Sequence, residues 1–183
     1  MTISIAEYAG DDHTRGDAAQ ASFEDMYERH AGSVHRFCLS QVHDPAVAED
    51  LTHETYVKAL IVYERIRPDL TSPRGWLITI ARNLCAEHHR RLGRVRRLLP
   101  RLVQGPSPAA DVVAIAQDRL EVGRVTSALA TLREADRQLI GLRVAADLSY
   151  REVADVLGMS EAAAKVATHR ALTRLRARLE NPR

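Results

Sequence analysis

Cationic and hydrogen-bonding side chains are concentrated near the carboxyl end of the chain. Between Ala162 and Arg178 there are five Lys or Arg residues and no acidic residue. On the helical period, one face of this stretch carries Ala162, Ala163, Lys165, Val166, His169, Arg170 and Thr173. The polar groups can bind phosphates and base edges, and Ala and Val can contact thymine methyl groups. The pattern favours DNA binding, with a merely solvated basic face as the alternative.

The residues around this face predict two helices joined by a tight turn. Ser149 with Glu152 is a capping box that begins the first helix. Gly158 ends it, because glycine adopts the left-handed cap conformation without a steric penalty. Ser160 is the N-cap of the second helix, which we expect to run to about Arg178. A short helix, a glycine turn and a helix with a basic face are typical of a helix-turn-helix, whose second helix enters the DNA major groove.

The second helix should also have a buried side. On the helical period, this stripe comprises Ala164, Thr168, Ala171, Leu172 and Leu175. The stripe lies opposite the basic face, as expected of a surface helix.

Charge is unevenly distributed, although the formal net charge is only +2. The segment 82–101 carries seven Arg against one acid, Glu87; this either suits phosphate binding or reflects the arginine usage of a GC-rich genome. The segment 44–54 contains no Lys or Arg, and its four carboxylates are Asp44, Glu49, Asp50 and Glu54. From the residues alone, these acids are typical of a solvated helix face.

The sequence offers little for catalysis or metal binding. His35 with Cys38 and the adjacent His88 and His89 are the pairs with metal-ligand character, and neither has a third or fourth ligand beside it. No nucleophile, base and orienting group can be placed together. We therefore expect no enzyme activity and no cofactor or metal. Cys38 and Cys85 are interpreted as small buried hydrophobes of a reducing cytoplasm.

Hydrophobic periodicity predicts an all-α protein of two small helical domains joined by a flexible linker. Strand-like alternation is absent from the sequence. We expect residues 1–20 to form an acidic disordered tail and residues 21–97 to form a three-helix bundle. Residues 98–119 would be the linker, and residues 120–180 would form a domain that contains the helix-turn-helix. Without a partner, the relative placement of the two domains is expected to be loose.

The three helices of the first domain have recognisable starts. Ser22, Asp44 and Ser72 are the predicted N-caps, and prolines that favour the first helical position follow the last two. The second half of the second helix, 56–63, is apolar nearly all round, so we expect it to be buried. The third helix should end near Arg91, although the basic segment that follows could continue it. Its inward face should comprise Trp76, Leu77, Ile80, Ala81, Leu84 and Cys85.

Several segments resemble the sigma factors of bacterial RNA polymerase. DPAVAEDLTHETYVKAL, residues 44–60, is similar to the second conserved region of that family, and WLITIARNLCAEHHRR, residues 76–91, is similar to its promoter-melting helix. LREADRQLIGLR followed by LSYREVADVLGMS resembles its fourth region. The short linker without a third region resembles the extracytoplasmic-function (ECF) group. The resemblance covers about 22–97 and 120–180. It implies a protein that binds core RNA polymerase, recognises the minus-thirty-five and minus-ten promoter elements and promotes DNA melting.

The resemblance implies a partner for each surface. The core-polymerase surface would comprise Asp44, Glu49, Asp50, Leu51 and Glu54. The minus-ten surface would comprise Arg67, Arg74, Arg82, Asn83, Glu87, Arg90 and Arg91. The minus-thirty-five surface would comprise Ser160, Ala162, Ala163, Lys165, Val166, His169, Arg170, Thr173 and Arg174.

The implied partners are core RNA polymerase, through its largest-subunit coiled coil and its flap, promoter DNA, and an anti-sigma factor. No apolar run is long enough to span a membrane and no signal peptide is visible. We therefore expect a cytoplasmic protein without membrane insertion, associated with the nucleoid when it is bound to polymerase. The alternative is a stand-alone helix-turn-helix regulator, which would usually need a dimer interface or an effector domain.

Overall fold

The computed structural model describes residues 22–66, 70–98 and 116–180. In chain order its helices are α1 Phe23–Val42, α2 Pro45–Ile66, α3 Pro73–Leu98, α4 Ala116–Ala130, α5 Glu134–Ile140, a π-helical segment Gly141–Ala145, α6 Tyr150–Leu157 and α7 Glu161–Glu180. These residues contain no strand, so the all-α prediction is confirmed. The expected tail 1–20, Arg67 and the linker residues 99–115 lie outside the described residues.

The predicted starts of the first three helices are confirmed. Ser22 and Asp25 exchange side-chain and backbone hydrogen bonds in a capping box at the start of α1. Asp44 Oδ1 accepts two hydrogen bonds from N–H groups of the first turn of α2, at 2.9 and 3.1 Å. Ser72 Oγ accepts from the Gly75 N–H at 3.2 Å and begins α3. Each cap satisfies backbone donors that have no partner inside the helix.

Helices α1, α2 and α3 form the first domain. Their shared core includes Phe37, Leu77 and Ile78, which are fully buried. Phe23 of α1 contacts the rings of Tyr56 and Tyr63 of α2 edge-on, with centroid distances of 6.1 and 5.2 Å. The predicted inward face of α3 is buried throughout. This packing fixes α2 and α3 relative to each other, and these are the helices with the candidate binding residues.

Helix α3 is longer than the predicted helix, which was expected to end near Arg91. It continues to Leu98, so the alternative in which the basic segment extends the helix is confirmed. Arginine and leucine are good helix formers, and the chain places its next proline at position 100. The extension brings Arg94 into the same helix as Asn83.

The prediction that the second half of α2 is buried all round was wrong. Val57, Leu60 and Ile61 are 60%, 58% and 77% exposed. Within residues 56–63 the buried residues are Tyr56, Ala59 and Tyr63. A helix at the surface of a three-helix bundle has neighbours on one side, so only that stripe enters the core.

Helices α4 to α7 form the second domain, and the predicted helix-turn-helix is confirmed. Ser149 and Glu152 form the capping box of α6. Gly158 ends α6 in the left-handed conformation, with φ of 64°. Ser160 Oγ accepts from the Ala163 N–H at 3.2 Å and begins α7. The predicted inner stripe of α7 is buried except for Leu172, which is half-buried.

The two domains are in direct contact, which differs from the expected loose placement. Arg36 Nε of α1 donates to the Ala145 carbonyl at 3.1 Å. Buried apolar side chains of both domains belong to one cluster. Arg36 is polar, so hydrophobic periodicity gave no indication of its contact with the second domain.

Candidate functional site

The basic face of α7 is exposed as predicted. Ala162, Ala163, Lys165, Val166, His169, Arg170 and Thr173 all lie on the solvent side of the helix. The opposite side is anchored by Ala164, Thr168 and Ala171, which are fully buried. Among the residues that the structure describes, the side chains of Lys165 and Arg170 have no hydrogen-bond or ion-pair partner. The face therefore presents its cationic groups outward on a rigid, well-packed helix.

Two residues assigned to this face have structural partners. Arg174 Nη1 lies 2.7 Å from Asp136 Oδ1, and Asp136 is buried between α5 and α7. Arg133 Nε lies 3.4 Å from the other oxygen of the same carboxylate. Ser160 acts as the helix cap. Arg174 thus holds α7 against α5, and in this structure it is not a free phosphate ligand as the sequence suggested.

The outer face of α3 carries the residues assigned to the minus-ten element. Asn83, Glu87, Arg90 and Arg91 are exposed. Asn83 and Glu87 are four positions apart and so lie one above the other on the helix. Basic residues follow on the same side toward the end of the helix. This arrangement places an amide and a carboxylate beside a row of cations.

Arg74 and Arg82, which were assigned to the same surface, contact the second domain. Arg74 Nη2 lies 3.4 Å from Glu152 Oε2. Arg82 Nε donates to Gln138 Oε1 at 3.3 Å. In this arrangement neither guanidinium is fully available to a DNA phosphate.

Three carboxylates project from one side of α2. Glu49, Asp50 and Glu54 are exposed, and we call them the acidic face. Glu54 also pairs with Lys58 at 3.0 Å, one turn further along the helix. Leu51 is only 7% exposed, so it lies in the core of the domain and not on the contact surface predicted for it. Asp44 is occupied as the helix cap.

An apolar patch adjoins the acidic face and was missed by the sequence interpretation. It consists of Val57, Leu60 and Ile61, and it continues the stripe of Asp50 and Glu54 by helical steps of three and four residues. Contiguous exposed apolar residues with a polar rim mark interaction sites. The signal was present in the sequence, since these residues are out of phase with the buried stripe of α2.

The described residues include no helix with the length and apolar character needed to cross a membrane. Nor do they bring together three or more His, Cys, Asp or Glu side chains in a metal-binding arrangement, and His35 and Cys38 belong to no such group. Cys38 and Cys85 are both buried and unbridged, as the sequence suggested.

In the described residues, an exposed helix-turn-helix and a second basic helix are together typical of a DNA-binding protein. The family models Sigma-70 region 2 and Sigma-70 region 4 match residues 26–95 and 123–175. The ECF RNA polymerase sigma factor SigL of Mycobacterium tuberculosis is 32% identical over 166 residues, which cover 89% of this chain and 92% of SigL. The chain belongs to the ECF family of RNA polymerase sigma factors.

Solved structures agree with this fold. The sigma factor RpoE in complex with the anti-sigma factor NepR from Bartonella quintana matches with a TM-score of 0.69 at 23% identity, over 88% of this chain and 98% of that one. CnrH in complex with the cytosolic domain of CnrY matches with a TM-score of 0.62 at 26% identity, over 88% of this chain and 89% of CnrH. As the family models and SigL show, the protein is an initiation factor of this family, which binds core RNA polymerase, recognises the minus-thirty-five and minus-ten elements and promotes DNA melting. It is not a stand-alone regulator.

Proposed function

We propose that three surfaces of this sigma factor bind core polymerase, the minus-ten element and the minus-thirty-five element respectively. The first domain, residues 21–97, would bind core polymerase through α2 and the minus-ten element through α3. The second domain, residues 120–180, would bind the minus-thirty-five element through α7, and 98–119 would link the two. The single observation that supports this proposal is that α2, α3 and α7 each expose the face assigned to a partner while their opposite faces are buried. The chain that carries them belongs to this family.

The polymerase surface combines the acidic face with the apolar patch. The carboxylates of Asp50 and Glu54 would steer and orient a basic coiled coil of the largest subunit, because charge complementarity acts mainly on encounter and register. Leu60 and Ile61 would supply the desolvated contact that gives most of the affinity. Asp44 and Leu51 would act indirectly, by capping α2 and by packing it into the core.

The minus-ten surface is centred on Asn83. Its amide can both donate to and accept from a base edge, which suits an unstacked base of the separated strand. Glu87 can accept from an exocyclic amino group of a base. Arg90 and Arg91 would bind phosphates and add affinity without sequence information. Ser72 and Arg74 lie at the start of α3, where the preceding loop would receive a flipped base at a cost of a few kcal/mol in unstacking.

The relatives with solved structures also suggest a regulator. RpoE and CnrH are each bound there to a second protein, the anti-sigma factor NepR and the cytosolic domain of CnrY. We propose that an anti-sigma factor likewise binds this chain in the cytoplasm and competes for the α2 surface. The chain itself would carry out no catalytic step, and it would associate with the nucleoid as part of the polymerase.

Replacing Asn83 tests the minus-ten assignment. We expect Asn83→Ala to reduce open-complex formation by about tenfold while closed-complex binding changes little, because an unstacked base meets this residue only after melting. The measurement is run-off transcription and permanganate reactivity with core polymerase on a promoter selected from genomic fragments.

Arg90→Ala provides the control for that variant. Its lost phosphate contact should weaken both steps and lower the salt dependence of binding. If Asn83→Ala weakens both steps equally, or neither, Asn83 does not recognise the melted strand. If the wild-type protein supports no transcription with core polymerase, the proposed division of work fails as a whole.

A further inference from the structure

The part of α7 that points directly away from the protein core is apolar. Residues two positions apart on an α-helix point to nearly opposite sides. Val166 lies two positions from both Ala164 and Thr168, and these two residues are fully buried. Val166 itself is 50% exposed. Its two methyl groups therefore lie at the centre of the exposed face of α7 and not at its edge.

Thr173 has the same orientation two turns further along the helix, because it lies two positions from the buried residues Ala171 and Leu175. Its hydroxyl donates to the His169 carbonyl at 3.0 Å. The hydroxyl is thus already bonded, and the methyl group is the part of this side chain that is left for a ligand. We call the central exposed row the methyl ridge, and it comprises Ala162, Val166 and Thr173.

Cationic side chains flank the methyl ridge. On the helical period, Lys165 lies on one side of Val166 and Arg170 lies on the other, and both are exposed. Residues 162–178 contain no acid that would repel DNA. Phosphates border the major groove on both sides, and base edges form its floor. A face with methyl groups along its centre and cations along its edges matches that distribution.

The chemistry of the methyl ridge selects among the bases. In the major groove, thymine presents a C5-methyl group, whereas cytosine presents an amino group in its place in the code. A methyl group that Val166 removes from water contributes favourably to binding. An amino group of a base that is covered by Val166 loses hydration without gaining a hydrogen bond, which is unfavourable. The ridge should therefore prefer thymine to cytosine at the positions that it covers.

The first half of the ridge covers a short stretch of DNA. Four residues separate Ala162 from Val166, which is about 6 Å along the helix axis. Base pairs follow each other at about 3.4 Å. The N-terminal residues of a recognition helix are the ones that contact base edges. These two side chains can therefore contact one or two neighbouring base pairs.

We propose that Val166, with Ala162, recognises the C5-methyl groups of thymines in the minus-thirty-five element. The inference rests on the proposed binding of that element by α7, and it adds the chemical group that is recognised. The methyl contact supplements the contacts of Lys165 and Arg170 and discriminates less than a bidentate arginine does.

Deoxyuridine provides the test, because it pairs as thymidine does and lacks only the C5-methyl group. Each thymine of the minus-thirty-five element, on either strand, is replaced singly in a double-stranded promoter selected from genomic fragments. The affinity of the full chain assembled with core polymerase is then measured by titration. We expect one or two replacements to weaken binding about threefold, as the loss of one methyl contact should, and replacements outside the promoter elements to have no effect.

Val166→Ala should remove this dependence. The variant should bind the unmodified promoter about threefold more weakly and should no longer respond to deoxyuridine at the sensitive positions, since the lost contact is the same one. Val144→Ala is the matched control: it shortens another valine of the second domain, which is 59% exposed, and should keep the wild-type affinity and the wild-type response. Thermal melting should be nearly unchanged in both variants, because both positions are exposed.

Cytosine methylation supplies an independent check. At a sensitive position, replacement of the T·A pair by C·G should weaken binding of the wild type. Methylation of that cytosine at C5 should restore part of the affinity, because it returns the methyl group to the major groove. The same methylation should have no effect on Val166→Ala.

Three results would overturn the proposal. They are a wild type that responds to deoxyuridine at no position of the element, a Val166→Ala variant that responds as the wild type does, and a selected element without thymine on either strand. Failure of the proposed function would look different. In that case Lys165→Ala and Arg170→Ala would also leave promoter affinity unchanged, whereas a failure of the methyl contact alone would leave their effects in place.

Discussion

Substitutions on the exposed side of α2 should strongly weaken the binding of core RNA polymerase. We expect Leu60→Ser with Ile61→Ser, and separately Asp50→Arg with Glu54→Arg, each to weaken binding about 100-fold. The first pair removes apolar anchors at the centre of the proposed contact, where the few hot-spot residues of an interface each cost about 2 kcal/mol or more when truncated. The second pair replaces attraction to a basic coiled coil by repulsion. Titration of labelled protein with core polymerase gives the dissociation constants.

The two pairs should differ in their response to salt. The defect of the charge-reversal variant should shrink as ionic strength rises, because exposed charges are screened, whereas the defect of the apolar variant should persist. Val144→Ser is the matched apolar control, since Val144 is 59% exposed on the second domain. All these side chains are exposed, so thermal stability should change little. If both double variants bind core polymerase with the affinity of the wild type, α2 is not the docking surface.

Local structure was predictable from the sequence wherever a few neighbouring residues determine it. The capping box of Ser149 and Glu152 and the left-handed glycine Gly158 depend on contacts within one helical turn, and both are confirmed. The exposed basic face and the buried stripe of α7 follow from the helical spacing of their residues and are confirmed too. The start of α2 at Asp44 was predictable for the same reason.

Features that depend on packing between distant segments were not predictable. Val57, Leu60 and Ile61 are apolar, but only the positions of α1 and α3 decide which side of α2 is covered. Glu152 has a role as a helix cap that the sequence indicates, while the same carboxylate also binds Ser72 and Arg74 about 80 residues away. Hydrophobic periodicity carries no information on such polar contacts between domains.

The ion pair between Arg174 and Asp136 is another contact between distant segments that the sequence does not reveal. It removes Arg174 from the residues of α7 that are free to bind DNA. An arginine on the outer side of a recognition helix resembles a phosphate ligand in sequence, yet its guanidinium lies on a buried carboxylate of α5. Removing it would leave Asp136 without its closest cationic partner, which is costly for a buried charge. We therefore expect Arg174→Ala to act on the stability of the second domain, as seen in its thermal melting, more than on DNA affinity.

The minus-thirty-five element should tolerate base substitutions better than the minus-ten element. The first turn of the recognition helix contains Ala162-Ala163-Ala164, so few side chains there can hydrogen-bond to bases. A good bidentate contact discriminates by roughly 1–3 kcal/mol, and Arg170 is the one arginine on this face that can provide it. Thr173 is further restricted, because its hydroxyl donates to the His169 carbonyl at 3.0 Å. We therefore expect specificity at the minus-thirty-five element to depend mainly on Lys165 and Arg170.

Substitutions in α7 should separate base recognition from phosphate binding. We expect Lys165→Ala and Arg170→Ala each to weaken promoter binding about tenfold, with Arg170→Ala also relaxing the preference at one base pair. Arg176→Ala is the matched control: it removes an exposed charge on the same helix and should chiefly lower the salt dependence of binding. A saturation-mutagenesis scan of one cognate promoter, measured by transcription with wild type and each variant, compares the two elements directly. Greater stringency upstream than at the minus-ten positions would show that the alanine-rich start of α7 recognises bases by contacts other than these two side chains.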